Sequence, residues 1–285
     1  MFLSRVQASL CVFAFSLVLT LVFPSSAWSA PASFASIPDY LGQGQFVQGS
    51  AISSDKSSAY VVKQNLSNAC NVQRIDLATK KSTRLQLTSA GSKAMGHANG
   101  LCCVKIANTE YLLVAPSSKK RYIAVFVISG SRLDYQGKVS VSKRVLKNVS
   151  GVAVLSTSGN KVSALISSAG KLRKVTFNIR TRSGIKKGTV IKGFANSSQS
   201  ISIWKSGGST YLFTETGGWT GRSSVLSKFK LSGNKVSRVW RKHVNGECQA
   251  ILPTNQSLYL VVEGSSLYNR HHDCVFSDRL VRWSN

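Results

Sequence analysis

Short runs of alternating apolar and polar residues recur along the chain from about residue 45 onward, and no stretch sustains the 3.6-residue apolar period of a long helix. The strongest runs surround Tyr60, Tyr111, Val162, Tyr211 and Tyr259 and read AYVVK, EYLLVA, KVSALI, TYLFTE and LYLVVE, at spacings of 51, 51, 49 and 48 residues. Each is predicted to be a strand. Twelve residues ahead of each anchor stands a polar residue: Gln48, Asn99, Ser150, Gln199 and Glu247. The next position is always small (Gly49, Gly100, Gly151, Ser200, Cys248). Two residues on it is small again (Ala51, Cys102, Ala153, Ser202, Ala250), and an apolar or cysteine position follows (Ile52, Cys103, Val154, Ile203, Ile251). The polar-small-any-small-apolar pattern thus repeats five times in register.

A third run follows in every unit, at Arg74–Leu77, Ala124–Ile128, Leu172–Phe177, Lys228–Leu231 and Arg279–Trp283. Four units add a fourth, at Ser82–Leu87, Lys138–Val141, Gly188–Ile191 and Lys235–Val239. Four strands every 50 residues or so is the arithmetic of a propeller blade. The predicted fold is therefore all-β, a five-bladed β-propeller of about 50 residues per blade, occupying residues 33–285 as a single domain. The small positions follow from crowding of the innermost strands about the axis. The fifth unit lacks a fourth strand, and the segment from Phe34 to Tyr40 is predicted to supply it, so that the N-terminal strand closes the last blade and protects its edge. A solenoid would need capping repeats that the sequence does not show, and a β-sandwich does not explain the fivefold register.

The start of the chain reads as a secretory signal peptide, residues 1–29: Arg5, an apolar run from Ala8 to Phe23, then Pro24 and small residues that allow cleavage after Ala27, Ser29 or Ala32. The run is short for a membrane span. The mature protein is expected to be soluble, secreted and monomeric.

Charge alters the picture of its partners. Lys and Arg number 37 against 10 Asp and Glu, for a formal net charge of +27. Such an excess favours polyanions, here an anionic cell-wall polymer, a polysaccharide or a membrane surface. The bases are densest from Lys171 to Lys192, on predicted outer strands, with only Phe177 close by. Single-strand nucleic-acid sites interleave aromatics with bases, so specific nucleic-acid recognition is not expected. Of the six cysteines, Cys11 lies in the signal segment. Cys102 and Cys103 are expected as free thiols on opposite faces of an inner strand, Cys70 either free or near Cys102, and Cys248 and Cys274 as the disulfide.

Placing the repeat on a propeller gathers Gln48, Asn99, Ser150, Gln199 and Glu247 into a ring at the mouth of the axis, with His97 beside Asn99. The loops around it carry Lys119, Lys120, Arg121, Trp219, Arg222, His271 and His272. Trp219, flanked by glycines, is the expected stacking platform. The plain alternative is that the ring amides only satisfy nearby backbone groups. Glycosidic cleavage ordinarily needs paired carboxylates, yet Glu247 is the one acid in the ring; Asp55, Asp76 and Asp134 fall in hairpins or outer strands. No phosphate loop, nucleophile elbow or metalloprotease helix is present, and the His271-His272-Asp273-Cys274 run is too compact to hold an ion unaided. No catalytic residue, cofactor or metal is assigned.

Gly96-His97-Ala98-Asn99-Gly100-Leu101, followed by a tyrosine strand, resembles a Gly-His-Ala-Asn motif of secreted bacterial repeat proteins of the helveticin J-like bacteriocin family, with Gln48-Gly49 and Glu247-Cys248-Gln249 as the corresponding blade openings. The resemblance implies a secreted protein with bacteriocin-like activity. The expected function is a cationic propeller binding an anionic or glycan component of a cell surface. The alternative is a glycan-cleaving enzyme acting at the channel mouth through Glu247 and His97.

Overall fold

A computed structural model describes residues 33–38, 45–65, 67–117, 119–195, 198, 200–217, 223–245, 247–255, 257–263 and 279–283. The first repeat forms β2 (Gln45–Ile52), β3 (Ser58–Asn65), β4 (Cys70–Asp76) and β5 (Ser82–Leu87). The second forms β6 (Gly100–Ile106), β7 (Thr109–Ala115), β8 (Tyr122–Ser129) and β9 (Arg132–Ser140), and the third β10 (Gly151–Ser158), β11 (Lys161–Ser168), β12 (Lys171–Asn178) and β13 (Thr189–Val190). The fourth comprises β14 (Ser200–Ser206), β15 (Ser209–Gly217), β16 (Ser223–Ser232) and β17 (Lys235–Asn245), and the fifth β18 (Glu247–Pro253), β19 (Leu258–Glu263) and β20 (Arg279–Trp283). Strand β1 (Ser33–Ser36) completes the fifth unit by pairing antiparallel with β20, so the sheet runs β1-β20-β19-β18.

Each unit is thus a four-stranded antiparallel meander. Units one and two merge into one eight-stranded sheet because the end of β5 pairs parallel with the start of β9, through Gln86↔Arg132 and Leu87↔Leu133. The same outer-edge link recurs in shorter form as parallel bridges Val141↔Ile185 and Lys192↔Lys235, joining units two to three and three to four. A peripheral relay therefore consumes edge groups that would otherwise be open to another chain.

The first strands touch in a closed cycle, β2 to β6 to β10 to β14 to β18 and back to β2. Their small residues are the reason they can. A Cβ on Gly49 would lie 2.2 Å from the Ala98 carbonyl oxygen, and one on Gly100 would lie 2.6 Å from the Gly151 Cα. Alternation along every strand sends one set of side chains to each neighbouring unit, which divides the apolar interior into five clusters, one per junction. Tyr60 and Val62 face unit two, while Ala59, Val61 and Ile75 face unit five. Each fully buried aliphatic side chain contributes roughly 1.5–3 kcal/mol. Strand β1 joins this interior through Ala35 and Ile37, and Phe34 meets Tyr259 edge-on at 5.0 Å. Buried Lys63 donates to the Ile37 carbonyl at 3.2 Å, and the Gln73 amide donates to the Pro38 carbonyl.

One element departs from the pattern. Helix α1 (Ser89–Met95) lies between units one and two, capped by Thr88, whose hydroxyl accepts the Gly91 N–H. It buries Gly91, Ala94 and Met95 and ends at Gly96, whose φ of 58° turns the chain into His97.

Candidate functional site

In each antiparallel unit the first strand starts, and the second strand finishes, at the same end of the sheet, where the loops into the first and third strands also gather. Four acids lie at the opposite end or in its hairpins. The Ser53 hydroxyl and the Ser57 N–H hold the Asp55 carboxyl below the usual range, the Thr79 N–H and hydroxyl do the same for Asp76, Asp134 pairs with Arg132 at 2.8 Å, and Glu110 receives the Ser54 N–H. The ring end carries Glu215, Glu247 and, by register, Glu263 opposite Glu247, all from units four and five.

Glu247 opens β18 and is half-buried; burial raises its carboxyl above the ordinary 4.5, while a hydrogen bond from the Gln249 amide, 2.9 Å, works in the other direction. Glu215 is fully buried at the end of β15 and accepts the Ser200 N–H at 3.1 Å. Burial is the main reason that the Cys248 thiol is pushed well up, and the nearby charges of Glu215 and Glu247 add to it. The two carboxylates therefore flank one inner-strand residue. Glu215 lies outside the repeat's ring positions because it belongs to the end of a second strand, not to the start of a first. The register Ser200↔Glu215 shows that the last residues of the second strand reach the same level.

Gln48 occupies a bulge in β2, between Val47↔Lys63 and Gly49↔Val62, which turns its amide toward the mouth. Its Oε1 lies 2.7 Å from His97 Nδ1, so Nδ1 carries the proton and Nε2 is left as the basic nitrogen. The His97 side chain keeps contact with solvent, yet the protein around it lowers its pKa below 6.5 by desolvation. Its backbone is fixed from two sides. The His97 N–H donates to the Pro116 carbonyl at 2.9 Å, and the preceding Gly96 carbonyl accepts from Gln64 at 2.8 Å. His97 thus hangs from the end of α1 and bridges unit two to unit one. Unit one in turn adjoins β18, where Glu247 begins.

Asn99 and Ser150 stand immediately before β6 and β10, as the repeat predicts. The Ser150 hydroxyl donates to the Ser167 carbonyl at 3.1 Å, whereas the Asn99 Oδ1 is buried without a protein partner. Ser50 Oγ on β2, Ser202 Oγ on β14 and Ser167 Oγ on β11 share that condition, so the first two strands of several units carry buried oxygens without a protein partner. Lys119, Lys120 and Arg121 are exposed in the loop between β7 and β8. Gln199, Trp219, Arg222, His271 and His272 lie outside the described residues.

One cysteine expectation changes. Cys248 is a free thiol, fully buried, with its sulfur donating to the Ala250 carbonyl at 3.4 Å, so the disulfide to Cys274 is not formed; Cys274 itself lies outside the described residues. An inner-strand position at the crowded axis turns the side chain into the packing instead of toward a loop. Cys70 is also free and buried, its thiol pushed up to about 12 by burial. Cys102 and Cys103 are free and pack in the clusters on opposite sides of unit two, as expected.

No family model matches the sequence, and no curated protein matches it. Solved structures do share the fold. The catalytic domain of a GH62 alpha-L-arabinofuranosidase from Coprinopsis cinerea aligns with 90% of this chain and 96% of its own at a TM-score of 0.57 and 10% identity. A GH43 endo-arabinanase from Bacillus licheniformis aligns over 86% and 96% at 0.54 and 13% identity. A xylan beta-1,4-xylosidase from Bacillus halodurans reaches 0.58 at 10% identity over 89% of this chain, which spans about half the length of that enzyme (54%). These likenesses correct two expectations. The resemblance to helveticin J-like proteins rested on a four-residue motif and is overturned, since the structures that share the fold are glycoside hydrolases. The bacteriocin-like, cell-surface-binding function drawn from it falls with it.

Proposed function

We propose that the five units are the blades of a five-bladed β-propeller, exported from the cell, that cleaves glycosidic bonds at the mouth of its axis. The observation that carries this reading is Glu247: a half-buried carboxyl with a raised pKa, at the ring end of a strand that packs on β2, whose Gln48 in turn holds an imidazole of lowered pKa. Glycosidic cleavage needs a proton donor on the leaving oxygen and, in the inverting form, a base that activates water on the other face of the sugar. Protonated Glu247 supplies the first as the anomeric C–O bond breaks. His97 Nε2 supplies the second, taking a proton from the attacking water while Gln48 holds the ring. The cycle leaves Glu247 ionised and His97 protonated, and one proton exchanged through solvent restores both. Buried Glu215 does not meet the sugar; it fixes the start of β14 beside the mouth through Ser200. A histidine base in place of a second carboxylate is a departure from the usual pair.

The fold neighbours act on arabinan and xylan by their descriptions, which makes pentose-containing polysaccharides the first substrates to try. Incubation of the mature protein with arabinan, arabinoxylan and xylan, followed by separation of the released sugars, should give defined products. Glu247→Gln should reduce the rate about 10²–10⁴-fold without losing polysaccharide binding. Full activity in Glu247→Gln, or no product from any of the polymers, would overturn the proposal.

A further inference from the structure

The loop from Pro116 to Arg121 and the connection from Val141 to Val149, far apart in the repeat, are laced together by backbone hydrogen bonds. The Ser117 N–H donates to the Val149 carbonyl at 2.9 Å, the Val149 N–H to the Lys120 carbonyl at 2.9 Å, and the Val141 N–H to the Arg121 carbonyl at 2.8 Å. Val145, Leu146 and Val149 are buried beneath, and Ser117 and Lys119 hold positive φ of 57° and 63°, so the paired loops have a fixed shape. On this frame stand Lys119, Lys120, Arg121, Lys143, Arg144 and Lys147, all exposed. No Asp or Glu occurs from Pro116 to Ser150 except Asp134, which is at the other end of its sheet and paired with Arg132. The frame is continuous with the mouth, because Pro116 accepts the His97 N–H and Val149 precedes Ser150.

Among the described residues none of these six cations pairs with a carboxylate, and they border the site proposed above for a glycan. We infer that this shoulder binds the carboxylates of a uronic-acid-bearing polysaccharide and holds it across the mouth. The inference rests on the glycan-cleaving reading and names its substrate class. Guanidinium and ammonium groups match carboxylates in geometry and charge. A nucleic acid fits less well: among the described residues the aromatic that borders the loops, Tyr122, donates its hydroxyl to the Ala94 carbonyl and lies under Lys138 instead of presenting an open stacking face.

Affinity electrophoresis of the mature protein in glucuronoxylan and in the same polymer after carboxyl reduction tests this directly. The wild type should bind the acidic polymer at least tenfold more tightly. The variant K119Q/K120Q/R121Q/K143Q/R144Q should lose that preference. The variant K205Q/K230Q/K235Q/R238Q/R241Q, which removes five exposed charges from unit four, should keep it. Equal binding of both polymers, equal loss in the two variants, or equal retention of a single-stranded oligonucleotide in place of the glycan would each overturn the inference. Cleavage of neutral polysaccharide is read separately through Glu247→Gln, so the shoulder can fail while the cleavage reading stands, and the reverse.

Discussion

At the ring end, units five and one present a half-buried carboxyl and an amide, with an imidazole from the approach to unit two, whereas the loops leading from unit two to unit three present six exposed cations. Both sides are built on the same backbone repeat. They differ in depth: Glu247 and Gln48 sit on the inner strands, where burial raises the Glu247 carboxyl and desolvation lowers the His97 imidazole held by Gln48, while the cations sit exposed on loops between strands. One repeat thus carries both a sheltered set of polar groups and an open, strongly cationic one.

The largest expected effect tests what holds the two sides apart. Gly49→Ala and Gly100→Ala each force a methyl group against the backbone of the next unit, and each should destabilise the protein by about 2–3 kcal/mol, read as a lower denaturation midpoint at unchanged slope. Unaltered midpoints would show that the inner strands are less tightly packed than described. Next is the imidazole. Gln48→Leu frees the His97 tautomer and should lower kcat about tenfold with little change in KM. Gln48→Glu should instead raise the His97 pKa and move the acid limb of the pH profile upward. In the wild type that limb reports His97 becoming protonated below 6.5, and the alkaline limb reports Glu247 losing its proton above 4.5; a profile whose alkaline limb survives Glu247→Gln would reassign the acid. The smallest effect concerns Cys248. Without reductant it should resist alkylation in the native protein and react fully after unfolding, whereas a thiol still blocked after unfolding would restore the disulfide.

Much of this organisation is legible in the sequence. The fivefold spacing of tyrosine-type strands and the small residues ahead of them are imposed by strand length and by the close approach of the first strands, so the strands and the pairing of β1 with β20 follow from pattern. Helix α1 escapes because seven residues are too few to show a helical period, although Thr88 and Gly91 form its cap. Glu215 escapes because pairing across strands is not written in either strand alone. The cationic shoulder escapes for the same reason at longer range: Lys119 and Arg144 belong to different loops, and only the hydrogen bonds between those loops make them one surface. The helveticin J-like resemblance misled because Gly96-His97-Ala98-Asn99 is explained by local geometry, a helix end turning through positive φ into a residue held by Pro116.

The pairing of β1 with β20 has a consequence for the order of events during synthesis. Ser33 and Val281 are partners, so β1 must stay unpaired until the units that separate it from β20 have emerged, and its own sheet is the last of the five to be completed. Closing so long a loop carries an entropic penalty that grows only slowly with length. What is demanding is the wait, during which the flank of unit one that β1 will cover remains open. A chain that crosses a membrane unfolded and is released whole avoids that wait, because both ends then reach the same compartment before either has to commit.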